Sequence, residues 1–258
     1  MREDYGTALV TGGGSGIGRA AALTLARRGA QVVVTDRDAR SASTVAQEIA
    51  AAGGKATSVA MDVGDASSIA TGFDHAEAAF GGTDVLVNSA GLMLVEPLLD
   101  FSPESWDRVM RVNVTGTFLA SQRAARGMAE RGYGRIINIT SVSGLRAGVG
   151  RAAYGSSKAA IIGLTRQLAL ELGPLGVTAN AIAPGAIETP MTLGTYSDET
   201  WDNILAMVPA RRRGTPQDIA DAIAYLASPA ASYVNGETLV VDGGYMAAGM
   251  TQTGRLRV

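Results

Sequence analysis

Short β-branched runs alternate with longer alanine-rich segments along nearly the whole chain, and this alternation limits what it can fold into more than any other feature. Ala8-Leu9-Val10 precedes a helical segment from Arg19 to Gly29, Val32-Val33-Val34 precedes Ser41 to Ala52, and Ala56 to Met61 precedes Ser67 to Phe80. The rhythm continues with Val85-Leu86-Val87, a helix near Pro103 to Glu130, a strand from Arg135 to Ile139, a helix near Ala153 to Leu172 and a strand from Val177 to Ile182. The strands read as continuously apolar, the pattern of a sheet covered on both faces. Strand and helix in succession require crossovers, which are right-handed, so the expected fold is α/β, a doubly wound parallel sheet with helices on both faces. With no Pro/Ser-rich linker, charge block or close repeat, one domain over residues 1–258 is expected. The stretch Glu188 to Pro209 lacks clear periodicity and reads as a mobile flap over a substrate.

Directly after the first strand stands Thr11-Gly12-Gly13-Gly14-Ser15-Gly16-Ile17-Gly18, opening into a helix. A helix N-terminus offers unpaired N–H groups and partial positive charge, and glycines let a pyrophosphate reach that backbone without Cβ clashes. Gly12, Ser15, Gly16, Ile17 and Gly18 therefore read as the phosphate turn of a Rossmann-like dinucleotide site. A mononucleotide P-loop has the glycine spacing of Gly13 and Gly18, but Arg19-Ala20 stands where it needs Lys and Ser/Thr. Asp36 ends the second strand about 20 residues on, where a carboxylate accepts hydrogen bonds from ribose hydroxyls and repels a 2′-phosphate. The adjacent Arg37 is placed to pair with that phosphate if Asp36 turns away. The expected cofactor is NAD, with NADP the lesser alternative.

Tyr154 and Lys158 lie four residues apart at the start of a predicted helix and so share one face. Ser141, Asn88 and Pro184-Gly185 each follow a predicted strand, and the ends of parallel strands are where open sheets bind ligands. The chain has one histidine and no cysteine, so acid/base chemistry near neutral pH must use other groups. A phenol with an ordinary pKa near 10 is a poor base. An ammonium about 5 Å away, at an effective dielectric near 20, stabilises its anion by about 3 kcal/mol, or roughly two pKa units. The sequence thus predicts a partly dry site where Tyr154 exchanges a proton with a secondary alcohol or ketone. Ser141 would donate to the same oxygen while Lys158 supports the phenolate.

Thr11-Gly-x-x-x-Gly16-x-Gly18, Asn88-Ser89-Ala90-Gly91, Asn113, Ser141, Tyr154-x-x-x-Lys158 and Pro184-Gly185, in that order, resemble the short-chain dehydrogenase/reductase family. The likeness covers nearly the whole chain and extends to Val241-Asp242-Gly243-Gly244 near its end. It implies an NAD-dependent enzyme acting on the CH–OH group of its substrate, with Asp62 and Val63 beside adenine and Thr189 holding the carboxamide. It further implies that Asn88, Ala90, Gly91, Pro184, Gly185 and Ile187, together with Tyr154 and Lys158, contact the cofactor. Asn113, otherwise only a polar residue on a helix face, is implied to keep its helix irregular and to bind a water joining Lys158 to solvent. The family's double asparagine is Asn88-Ser89 here, a departure expected to change one hydrogen bond in the turn. A homotetramer is implied as well, and small residues such as Ala120, Ala124, Ala159, Ala160 and Gly163 suit helix pairing between subunits.

Net charge of -2 and the absence of a basic stripe give no footprint for a nucleic-acid or anionic-membrane partner. No apolar run reaches the roughly 18 residues of a membrane span, and Met1-Arg2-Glu3-Asp4 leads into a strand without a signal-peptide core, so a cytoplasmic protein is expected. His75, in a helical and solvated stretch, has no companions with which to bind a metal, and none is expected. Two rival functions stand beside the alcohol/ketone enzyme. A 3-oxoacyl thioester reductase using NADPH would want basic residues near Ser15 or in place of Asp36, and a non-catalytic nucleotide sensor has no need of Asn113, Ser141, Tyr154 and Lys158 together. Arg146 and Arg151, between Ser141 and Tyr154, read either as contacts for an anionic substrate or as solvated loop charges, and Arg212 reads as structural.

Overall fold

In the computed structural model, which describes residues 5–249, seven parallel strands form one sheet. The strands are β1 (Thr7–Thr11), β2 (Gln31–Asp36), β3 (Lys55–Ala60), β4 (Val85–Asn88), β5 (Gly134–Ile139), β6 (Val177–Pro184) and β7 (Thr238–Val241), in the spatial order β3-β2-β1-β4-β5-β6-β7. The order reverses between β1 and β4, and a crevice opens there beyond the carboxyl ends of the strands. The reading of Met1 to Asp4 lies outside the described residues.

Successive strand residues point to opposite faces, and each face is buried by its own helices. On one side Ala8, Val10, Val32 and Val34 meet Leu25 of α1 (Gly16–Arg27), Ile49 of α2 (Ala39–Ala51) and Ile219 and Ile223 of α9 (Pro216–Ala227). On the other, Leu9, Val33, Leu86 and Ile136 meet Phe73 of α3 (Ala66–Phe80) and Met128 of α5 (Gly116–Arg131), with α6 (Ala152–Leu172) packed alongside. Two-sided burial is why β1, β2, β4, β5 and β6 read as unbroken apolar runs. The edge strand β3 departs from that expectation: Lys55, Thr57 and Ser58 face partly into solvent, and Thr57 hydrogen-bonds the half-buried His75 at 2.9 Å.

Three other expectations change. The helix near Pro103 to Glu130 is not uniform but consists of α4 (Pro103–Met110), a wider π turn over Arg111–Thr115 and α5. The flap from Glu188 to Pro209 is not irregular: it folds into α7 (Pro190–Leu193) and α8 (Asp198–Met207), anchored by Trp201, which is only 2% exposed. Ala120 and Ala124 are buried within this chain's own core and are unavailable for pairing between subunits, whereas Ala159 and Gly163 remain exposed on α6. Helix α9 was not anticipated, although Thr215-Pro216-Gln217-Asp218 carries its signal, a capping box with proline at the first turn.

Candidate active site

The glycine turn forms by close backbone approach. A Cβ on Gly12 would come within 2.9 Å of Ala90 Cα, and one on Gly18 would strike the Gly12 carbonyl, so the chain packs there only without side chains. Ser15 occupies the N-cap position of α1 but makes no side-chain capping bond, and no acid lies in the first turn. The N–H groups of that turn are therefore left facing a cleft of about 540 Å³ that also receives Asp62 and Val63. Thr11 Oγ1 accepts from both Ser89 N and Ala90 N at 3.1 Å, fastening the end of β4 to the end of β1. Asp36 takes Gly14 N at 3.1 Å and Asp38 N at 3.0 Å, which fixes its carboxylate at the cleft rim beside the exposed Arg37. A bare helix N-terminus, a glycine cradle and a fixed rim carboxylate fit a dinucleotide.

The far side of the cleft holds the proposed acid/base residues. Asn113 is fully buried in the π turn, and its side chain spans three elements: Oδ1 accepts Leu92 N at 2.7 Å, while Nδ2 donates to Leu92 O and to Ser157 Oγ, each at 2.9 Å. Ser157 in turn donates to Tyr154 O at 2.7 Å, so Asn113 positions the first turns of α6 against the segment after β4. The Thr117 hydroxyl donates to the Asn113 carbonyl at 2.7 Å, using an acceptor that the π turn frees. Lys158 is 4% exposed, donates from Nζ to Ile139 O at 2.8 Å, and lies 5.6 Å from the centre of the Tyr154 ring. Ser141, extended just past the end of β5, lines the same cleft as Tyr154, and its Oγ accepts Ser143 N at 3.1 Å.

Burial controls the titration of both groups. It pushes the Tyr154 phenol above its usual 10, with the neighbouring Ser141 hydroxyl and the positive charge of Arg151 acting in the opposite direction. It pushes Lys158 down to about 8. In the cofactor-free site burial is the leading influence on the phenol, and Lys158, whose Nζ is turned to the Ile139 carbonyl, is not among the groups that lower it, unlike the expectation from spacing alone. A protonated phenol lining the cleft with Ser141 is set to donate a proton to a carbonyl oxygen, the direction of ketone reduction. The nicotinamide supplies the hydride when bound.

Every residue proposed from sequence as catalytic or cofactor-binding lines this cleft except Asn88 and Asn113. Asn113 works from behind the wall, as described. Asn88 is a correction: its amide nitrogen turns into the helix layer, donating to Ser121 Oγ at 3.0 Å and Asn138 Oδ1 at 2.8 Å, and it ties strands to helices without facing the cofactor cleft. Thr189 lines the cleft and caps α7, with its side chain 3.5 Å from where a Gly16 Cβ would sit. Sequence reasoning missed Tyr245, Thr140, Met93 and Ile204, which also line the cleft. Tyr245 directly follows Asp242-Gly243-Gly244, whose adjacent glycines both have positive φ, a turn signal that could have drawn attention to it.

This geometry defines a nucleotide-cofactor oxidoreductase. The family described as enoyl-(acyl carrier protein) reductase matches residues 12–246. The chain is 42% identical to the 3-oxoacyl-(acyl-carrier-protein) reductase FabG of Aquifex aeolicus, over 92% of this chain and 95% of that one. It is 41% identical to a (3R)-3-hydroxyacyl-CoA dehydrogenase of Canis lupus familiaris, over 95% and 97%. Among solved structures, a gluconate 5-dehydrogenase from Burkholderia cenocepacia in complex with NADP and tartrate superposes with TM-score 0.92 at 38% identity, covering 96% of this chain and 98% of that one. The chain belongs to the short-chain dehydrogenase/reductase family.

The Lys158 shift generates a stability prediction. Its folded pKa lies below the unfolded value of 10.5, so burial of the charge is a penalty fully present below pH 8 that fades as pH rises to 10.5. Lys158→Met, which forfeits the Ile139 hydrogen bond but escapes the penalty, should be more stable than the wild type at pH 7 by on the order of 2 kcal/mol. Urea unfolding of the coenzyme-free proteins at pH 7 and 10 should show this advantage shrinking at the higher pH.

Proposed function

We propose that this protein transfers hydride between NAD(H) and a secondary alcohol or ketone, with Tyr154 exchanging the proton, Ser141 holding the substrate oxygen, Lys158 supplying positive charge behind the phenol and Asn113 positioning α6. The observation that carries the reading is the convergence of Ser141, Tyr154 and the buried Lys158 on one cleft wall, with Lys158 Nζ 5.6 Å from the centre of the Tyr154 ring. The nucleotide sensor, the rival from another class, leaves that arrangement without a purpose.

The preference for NAD rests on Asp36, fixed by two backbone N–H groups where a 2′-phosphate would lie. A second reading, a 3-oxoacyl thioester reductase using NADPH, draws on the relatives named above, on the NADP in the Burkholderia structure and on the exposed Arg37 beside Asp36. Assembly as a homotetramer is part of the proposal, supported by Phe118 and Leu170, which are 42% and 73% exposed on α5 and α6. Light scattering that gave a monomer would remove that part.

Turnover of an alcohol and ketone panel, followed by nicotinamide absorbance, tests the reading. Tyr154→Phe should still quench or shift NADH fluorescence on binding while losing at least about a hundredfold in kcat. A variant with near-normal kcat would overturn the role of Tyr154. Asp36→Ala should move the ratio of kcat/KM for NADH over NADPH toward NADPH, and an unchanged ratio would show that Asp36 does not read the ribose.

A further inference from the structure

We propose that the substrate carries a carboxylate, and that Arg151, with Arg146 nearer the rim, is the subsite that binds it. This deepens the function proposed above and rests on it. The loop that leaves Ser141 at the end of β5 returns to the chemistry at Tyr154, so side chains between them border the space where the reacting oxygen must sit. That loop, residues 141–154, contains two arginines and no acid, and both arginines line the cleft.

Arg151 is half-buried at the N-cap position of α6. Its Nη1 donates to Ser143 Oγ at 2.9 Å, its Nη2 donates to the Tyr196 hydroxyl, and its guanidinium carbon lies 5.1 Å from the Tyr196 ring centre. Arg146 places its guanidinium 5.1 Å from the ring of Tyr245. These partners are neutral. Among the described residues neither Arg146 nor Arg151 forms an ion pair; Arg37 and Arg108 also line the cleft without one, but only Arg146 and Arg151 lie on the loop between Ser141 and Tyr154. Among the described residues the acids lining the cleft are Asp36 and Asp62, which accept Gly14 N and Gly64 N, and Glu188 at the start of the flap is directed to Arg213.

A partly desolvated guanidinium held in place by hydroxyls, with donors to spare and no counter-charge, matches the planar two-oxygen geometry of a carboxylate. Tyr196 belongs to the segment between α7 and α8 and packs edge-on against the buried Trp201 at 5.2 Å, so the flap itself helps to aim Arg151. Consistent with this placement, the positive charge of Arg151 acts to lower the pKa of the Tyr154 phenol. In the reductive direction hydride adds to the ketone carbon, the C=O π bond breaks and its oxygen takes the Tyr154 proton, giving a hydroxy acid and the oxidised nicotinamide. The carboxylate only binds.

The test compares three oxo acids, pyruvate, 3-oxobutanoate and 4-oxopentanoate, with their ethyl esters, using NADH and NADPH. The measured quantity is the acid-to-ester ratio of kcat/KM in the wild type, Arg151→Met, Arg151→Lys and Arg146→Met. The wild type should favour the acid in at least one pair by about tenfold, and Arg151→Met should lower the acid about thirtyfold more than the ester. Arg151→Lys should recover part of the ratio, and Arg146→Met should reduce it less. If Arg151→Met fails to fold, Arg151→Lys, which keeps the charge but loses the planar fork, is held to a ratio below that of the wild type. Ester preferred in all three pairs, or acid and ester falling together in the Arg151 variants, would overturn the subsite and leave the oxidoreductase intact. No turnover of any of the six compounds or of the neutral alcohol panel would instead overturn the proposed function, and the subsite with it.

Discussion

A lysine kept nearly dry against a backbone carbonyl at a strand end is the constraint on which the rest of this molecule depends. Lys158 reaches Ile139 O only because α6 lies almost on the end of β5, an approach secured by the Thr140 hydroxyl donating to Lys158 O at 2.7 Å. A Cβ on Gly144 would lie 2.7 Å from the Lys158 carbonyl carbon, and one on Gly91 would sit 3.6 Å from Nζ. At Gly144 a side chain would collide with the α6 backbone at Lys158, so the close approach of the loop to α6 requires glycine there. The same dryness that burdens the lysine lifts the pKa of the neighbouring phenol, so one act of packing sets the protonation of both groups.

That packing has to be assembled from distant parts of the chain, and buried polar side chains perform the assembly. Asn113 joins the segment after β4 to α6, Thr11 joins β1 to the end of β4, and Asn88, Asn138 and Thr165 run as a chain of amide and hydroxyl contacts through β4, β5 and α6. Each has hydrogen-bond partners, and together they hold the strand ends and helices that carry the cleft residues. The cleft that results carries Asp36 and Asp62 at its cofactor end beside Arg37, and two arginines, Arg146 and Arg151, on the loop that ends at Tyr154.

Much of this was legible in the sequence because the relevant signals are local. Two-faced burial writes itself as unbroken runs such as Val32-Val33-Val34, and a backbone that must come within reach of a pyrophosphate writes itself as Gly12, Gly16 and Gly18 between a strand and a helix. What escaped depends on partners far along the chain. Asn88 sits at the end of β4 as expected, but whether its amide faces the cleft or the helix layer is decided by Asn138, 50 residues away. The flap looked irregular because α8 is short and held by one buried anchor, Trp201, and not by a repeating apolar stripe. The sign of the Tyr154 shift escaped for the same reason: a spacing of four shows that a lysine is near, whereas desolvation sums over walls contributed by many elements.

The central claim, that burial and not the lysine governs Tyr154 in the free protein, is tested most directly by titrating phenolate absorbance. The difference between wild type and Tyr154→Phe isolates this one phenol among the seven tyrosines. The account predicts a single ionisation above pH 10 in the coenzyme-free protein. A phenolate appearing between pH 6 and 9 would contradict it and return Lys158 to the dominant role.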